Sequence, residues 1–186
     1  SAHRYHHLHT DTPLDPHSPY EGFWFSHLGW LFDQKYREFR TSDKSNSREM
    51  ERQPFYRFLR RTYALHILAQ FLVLFYFAGF PGIVWGGALR ICWVLHNTWN
   101  VNSVAHVWGY QTYKTGDLSR NNWLVALLTF GEGWHNNHHA FKFSARHGLQ
   151  WWQFDATYIV IKALEAVGLA WRVQLPSEAQ KKKLAF

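Results

Sequence analysis

The sequence predicts an all-α fold: a helical hairpin integral to a membrane, carrying a histidine-rich helical cap on the cytoplasmic side. Three observations predict it. An apolar run from Tyr63 to Phe80 is followed, after Pro81-Gly82, by a second from Ile83 to about Trp99. His-x-x-His-His occurs before this pair as His3, His6, His7 and again after it as His135, His138, His139. Aromatic residues make up 19% of the chain, with eleven Trp, a composition suited to membrane-interface belts.

The 186 residues suffice for one domain, and 47% apolar content excludes disorder. The net charge of +7 could mark a nucleic-acid binder. Here the cations flank the apolar stretch instead of forming a reading surface, so a membrane is the expected partner and nucleic acid is not. Cys92 is the only cysteine, which excludes an internal disulfide and a thiolate metal site. The chain opens inside the first triplet without Met, and it reads as a piece lacking an N-terminal part.

Residues 1–61 form the first cytosolic segment. Asp15-Pro16 and Ser18-Pro19 mark turns, and residues 42–48 read as an exposed loop. Nine Lys or Arg lie between Lys35 and Arg61. Residues 62–99 form the hairpin. Eighteen residues at 1.5 Å rise reach about 27 Å, close to the hydrocarbon thickness. Pro81-Gly82 predicts a tight turn. Arg90, in the second run, must pair or snorkel. The basic flank before Tyr63 and the charge-free stretch from Gly79 to Gly87 orient the hairpin by the positive-inside bias. Two spans return both histidine triplets to the same, cytoplasmic face.

Residues 100–186 form the second cytosolic segment. Trp123 to Gly131 is apolar but too short to span, and leads towards the helix carrying His135. Residues 149–171 are amphipathic and fit either an interfacial helix or a core helix of the cytosolic part. Lys181-Lys182-Lys183 reads as a solvated tail.

On a helix, spacings of three and four put each imidazole triplet on one face. Thirteen histidines would produce one such triplet by chance in about 0.06 of chains of this length. His106 follows Asn102 by four residues, and the two are expected to face the same way. Seven imidazoles and one amide suffice for two metals with open positions. All-nitrogen ligation suits Zn, Cu, Fe or Ni. Soluble di-iron bundles use Glu and Glu-x-x-His, which the triplets lack. Glu132 is the nearest acidic residue, and orienting a histidine is its expected role.

Five stretches resemble the membrane fatty acid desaturases of the Δ9 type, which include stearoyl-CoA desaturase and acyl-lipid desaturases. They are His-Arg-Tyr-His-His (3–7), Thr-Asp-Thr-Pro-Leu-Asp-Pro-His (10–17) and Gly-Phe-Trp-Phe-Ser-His-Leu-Gly-Trp (22–30). Asn-Thr-Trp-Asn-Val-Asn-Ser-Val-Ala-His (97–106) and Gly-Glu-Gly-Trp-His-Asn-Asn-His-His (131–139) follow in family order. The resemblance implies a four-span fold and two iron ions that activate O2. They would place a cis double bond, at Δ9, in the acyl chain of a lipid or CoA ester. Electrons would come from ferredoxin or cytochrome b5. By resemblance His3, His6, His7, His106, His135, His138 and His139 are iron ligands, and Asn102 acts through a water.

Two departures accompany the resemblance. The family's first box, His-x4-His, is absent, so this piece alone is expected to bind iron poorly and be inactive. Acyl-CoA members carry Arg-Lys shortly after the Gly-Trp segment, where this chain has Asp33-Gln34-Lys35. A glycerolipid substrate is therefore favoured over acyl-CoA. Trp24, Trp30 and Lys35 are substrate-contact candidates. His9 and His147 are expected to be exposed. His17, His27, His66 and His96 are expected to be structural. Competing functions are a membrane di-iron hydroxylase or alkane monooxygenase, and a non-enzymatic membrane metal-binding protein.

Overall fold

The computed structural model describes residues 2–41 and 45–186. Among them the regular structure is helical, and extended pairing is limited to isolated bridges such as Tyr110 with Asn121. Of the expected loop at 42–48, residues 42–44 lie outside the described residues. Ser45–Ser47 forms a 3-10 turn, and Arg48 already begins a helix.

The first segment contains α1 (Ala2–His9), α2 (Phe23–His27), α3 (Gln34–Thr41) and α4 (Arg48–Arg52). Ser18 caps the turn after the first Pro pair by accepting from Tyr20 N–H, as the turn signals at 15–19 require.

The apolar region is α5 (Pro54–Pro81), a π-helical segment (Gly82–Leu89), α6 (Arg90–Asn102) and α7 (Val104–Val107). Pro54 opens α5 where its missing N–H costs nothing. Pro54–Val107 is long and apolar enough to cross a membrane: its most apolar 18-residue window has mean hydropathy 2.0, and only 6% of that window is buried. The chain reverses inside it. A Cβ on Gly87 would stand 2.6 Å from Phe71 Cε1, and one on Gly86 2.8 Å from Leu74 Cδ2. In a straight helix residues 71 and 87 would lie about 24 Å apart.

The reversal departs from the expected turn at Pro81-Gly82. It occurs at Gly79, with φ 60° and ψ −151°, a conformation essentially restricted to glycine. Pro81 (φ −55°) and Gly82 (φ −60°) are already helical. Proline's fixed φ suits the start of the returning helix better than the turn itself.

The last segment contains α8 (Trp123–Leu128), α9 (His135–Ala140), α10 (Ala156–Ala166) and α11 (Glu178–Leu184). Asn122 caps α8 through Val125 N–H at 3.1 Å. A tight loop then delivers α9, as the apolar stretch before His135 implied. At Gly133 a Cβ would stand 2.0 Å from Ala126 N, so only glycine fits.

The amphipathic stretch 149–171 is helical only over α10, because Asp155 caps it by accepting from Tyr158 N–H. No α10 residue is buried within this chain, so its apolar face is left uncovered here. The lysines 181–183 are solvated as expected, with Lys182 and Lys183 exposed, but they are ordered rather than irregular. They lie on α11, which opens with a Ser177–Gln180 capping box. Lys114 N–H donates to Leu184 O at 2.8 Å, and Tyr113 pairs with Ala185.

The core lies around α7, α8 and α9. Ala105, Val125, Ala126, Trp134 and Phe141 form its apolar part. Asn121, Asn136, Asn137 and Gln153 are buried beside them. Asn136 Oδ1 accepts from the backbone N–H of Thr112 and Tyr113, both at 2.8 Å. Asn137 Nδ2 donates to Gln153 Oε1 at 2.9 Å and to His147 O at 2.8 Å. The two asparagines inside His-Asn-Asn-His-His thus anchor α9 and leave its imidazoles free for other work.

Candidate metal centre

α1, α7 and α9 bring all seven sequence-selected histidines into two groups. His6, His106, His135 and His139 are all buried, and each offers a ring nitrogen within 4.8 Å of the others. His3, His7 and His138 form the second group under the same limit, with His3 exposed and the other two half-buried. In the first group His135 Nε2 lies 3.0 Å from both His106 Nε2 and His139 Nε2. In the second, His7 Nε2 lies 3.1 Å from His3 Nε2 and 2.9 Å from His138 Nε2.

The sequence reading missed the carboxylates behind these rings. His6 Nδ1 lies 3.0 Å from both oxygens of Asp15. His106 Nδ1 lies 3.2 Å from Asp11 Oδ2, and His139 Nδ1 lies 2.9 Å from Asp117 Oδ2. A carboxylate on Nδ1 holds that nitrogen protonated and leaves the Nε2 lone pair directed into the group, as in metal-ligating histidines. His6 Nε2 is buried and has no hydrogen-bond partner. Converging lone pairs, with an orphaned buried nitrogen among them, fit a cation. The donor set of neutral imidazoles, free of thiolate, fits iron.

The electrostatics agree. Burial lowers the His135 pKa well below the ordinary imidazole value, and neighbouring His139 and His106 lower it further. Burial lowers His139 to about 4 although the Asp117 hydrogen bond opposes it. His7 falls to about 2 through burial and the nearby His139 and His3. His3 falls to about 4 through burial and His6. Burial would raise Asp15, but the hydrogen bond and charge of His6 outweigh it and hold the carboxyl at about 2. Asp117 is held below the carboxylate range in the same way by His139, Ser119 and Thr115. Neutral rings and ionised carboxylates are the states that metal binding needs.

Asn102 is half-buried at the end of α6. Ser103 interrupts the helix there with φ −105° and ψ −68°, so Asn102 and His106 belong to separate helices and not to one continuous face. No hydrogen bond or ion pair joins Glu132 to a histidine among the described residues. Glu132 lines a cleft of about 360 Å³ with Trp93, Asn97 and Phe130. Burial raises its pKa, and Asp155 adds to the rise. The orienting role expected of Glu132 falls instead to Asp11, Asp15 and Asp117.

His147 is half-buried rather than exposed, with its ring 4.4 Å from that of His138 at a tilt of 37°. His9 is half-buried and stacks on Tyr5. His17 is buried, with its ring 4.4 Å from His6. The three substrate candidates occupy separate settings. Trp24 is 70% exposed. The Trp30 ring stands 5.3 Å from His17. Lys35 lines an open cleft of about 850 Å³ together with Asp33 and Glu38.

Comparison with known proteins follows the same lines. The family description "Fatty acid desaturase" matches residues 1–174. The chain is 61% identical over its whole length to a chloroplastic palmitoyl-monogalactosyldiacylglycerol delta-7 desaturase of Arabidopsis thaliana, covering 50% of that protein. It is 57% identical over its whole length to an acyl-CoA 5-desaturase of Anemone leveillei, covering 58% of it. A delta-9 acyl-lipid desaturase of Arabidopsis thaliana is 49% identical over the whole chain, with 61% of that protein covered. The chain thus spans between half and about three fifths of these relatives. Seven histidines gathered from three helices, and a family match over nearly the whole chain, lead to one statement: the chain belongs to the fatty acid desaturase family.

Proposed function

We propose that the natural protein containing this chain is an O2-dependent desaturase of fatty acyl groups, with two irons held by the seven histidines and by Asn102 through a water. The observation that carries this reading is the division of those histidines into one buried group of four and one more open group of three. Two groups, separate yet sharing α1 and α9, suit a metal pair better than a mononuclear site.

The two irons, when bound, supply the oxidising power to activate O2 against an unactivated C–H bond. Overall, two hydrogens leave neighbouring carbons, and O2 takes them up with two electrons and two protons to give water. The chain's own residues supply position and environment. Asp15, Asp11 and Asp117 fix the tautomers of His6, His106 and His139. Burial of the four-histidine group excludes water from it. Asn136 and Asn137 keep α9 in register with the rest of the core.

The helix pair that reverses at Gly79 would cross the membrane twice and return both histidine groups to one face. The basic flank before Tyr63 makes that face the cytoplasmic one. A preceding pair of spans and a His-x4-His box, which the motifs imply, would complete the four-span enzyme and the open side of the three-histidine group.

The substrate is an acyl chain on a membrane glycerolipid. Lys35 shares its cleft with Asp33 and Glu38, a poor setting for CoA phosphates. The relative at 61% identity is named for a lipid-bound palmitoyl group. The family resemblance favours Δ9, while the relatives at 61% and 57% identity are named for delta-7 and 5-desaturation, so product analysis decides the position. Ferredoxin or cytochrome b5 would deliver the electrons.

The test is lipid profiling of a host without unsaturated fatty acids that expresses the natural full-length protein with a working donor. A new monoene is expected, and its double-bond position settles the regiochemistry. A hydroxylated product would indicate a hydroxylase, and no product from protein present in the membrane would indicate a metal-binding role.

A further inference from the structure

His27 lies outside both histidine groups, yet it is only 5% exposed and makes two hydrogen bonds that cross between helices. Its Nδ1 lies 2.9 Å from Ser103 Oγ. Its Nε2 lies 3.0 Å from His96 Nδ1. The direction of this chain is fixed at its end. Ser103 Oγ–H donates to Trp99 O at 2.9 Å, so the oxygen must accept from His27 Nδ1–H. His27 Nε2 is then the acceptor, and His96 donates to it.

Phe23 stacks on the His27 ring at 5.7 Å and Trp99 meets it edge-on at 5.9 Å, leaving the ring little freedom to turn. The chain therefore ties α2 to one residue, Ser103. That residue is the break between α6 and α7, and it is fully buried. Its carbonyl accepts from His106 N–H at 3.1 Å, the first hydrogen bond after the break. Asn102 precedes the break directly. The angle between the two helices decides whether the His106 ring reaches both Asp11 and His135.

We propose that His27 is a positioning residue for the four-histidine metal position: its bond to Ser103 sets the α6–α7 break and holds His106 in place. The proposal rests on the metal reading given above. It assigns the Phe-Trp-Phe-Ser-His stretch a role at the metal centre, although none of its side chains belongs to either histidine group.

Two substitutions separate the two ends of the ring. Asparagine places an N–H near the Nδ1 position, and glutamine places its amide near Nε2. His27→Asn keeps the donor to Ser103, whereas His27→Gln keeps only the partner of His96. The experiment measures iron per chain in the natural full-length protein, purified from membranes, for wild type, His27→Asn, His27→Gln and Ser103→Ala.

The expected result is loss of about half of the bound iron in His27→Gln and Ser103→Ala, with His27→Asn near wild type. Equal iron in all four proteins would overturn the proposal. So would equal loss in the Asn and Gln variants, which would make the ring a packing element only. Wild-type protein without iron would instead overturn the metal reading itself, and the two failures are thereby distinguished.

Discussion

Asp117 Oδ2 lies 2.9 Å from His139 Nδ1, behind a ring whose Nε2 lies 3.0 Å from His135 Nε2. The carboxylate is itself anchored by Thr115 Oγ1–H at 2.7 Å and Ser119 N–H at 3.0 Å. It therefore holds both the tautomer and the direction of His139. Replacing Asp117 by Asn removes the charge while keeping the shape. Metal affinity should fall by about 10–100-fold, as measured by chelator competition on the full-length protein. Unchanged affinity would mean that Asp117 serves only its own loop.

His138 belongs to the more open three-histidine group, whereas His9 stacks on Tyr5 outside both groups. His138→Ala in the full-length protein should abolish turnover. His9→Ala should stay within about twofold of wild type, the scale of ordinary surface substitutions. Product formation in lipid extracts reads both. An active His138→Ala protein would remove that residue from the ligand set.

The imidazoles also set a pH dependence for the metal-free protein. His7 and His139 are held near 2 and 4, below the ordinary value of 6.5. As pH falls below 6.5 the unfolded chain takes up protons first, and the folded state loses stability down to about pH 4 through His139 and on towards about pH 2 through His7. The melting temperature of metal-free protein should therefore be level above about pH 7 and drop between about pH 6.5 and 4. A constant melting temperature across that window would contradict the depressed values.

Gly79 carries the helix reversal at φ 60° and ψ −151°. Gly79→Ala should cost about 1–3 kcal/mol through backbone strain alone. Lower thermal stability in detergent, with Gly116→Ala as a control of positive φ on a loop, would show it. Equal melting of Gly79→Ala and wild type would place the reversal elsewhere.

Much of this architecture is legible in the sequence. The triplets announce themselves by helical spacing, and the apolar runs announce a helix pair. The place of the reversal is less legible, because Pro81-Gly82 is the stronger turn signal and only backbone geometry singles out Gly79. The supporting carboxylates were missed for a different reason. Asp117 lies 22 positions from His139 and Asp11 lies 95 from His106, so no local period relates them. Asp15 was closer at hand, within a turn directly after the first triplet. Acidic residues on the loop that follows a triplet, such as Asp15, are a better signal than the nearest acidic residue in sequence, Glu132. His147 looked exposed because it has no partner at helical spacing. Its backbone is held beside His138 by Asn137 Nδ2–H on its carbonyl and by Asp155 Oδ2 on its N–H.

The central claim is that these histidines hold two irons. Elemental analysis of the purified full-length protein, with protein concentration from amino-acid analysis, tests it most directly. The account predicts two irons per chain, with one remaining in His135→Ala. One metal per chain in the wild type, or zinc in place of iron, would contradict it.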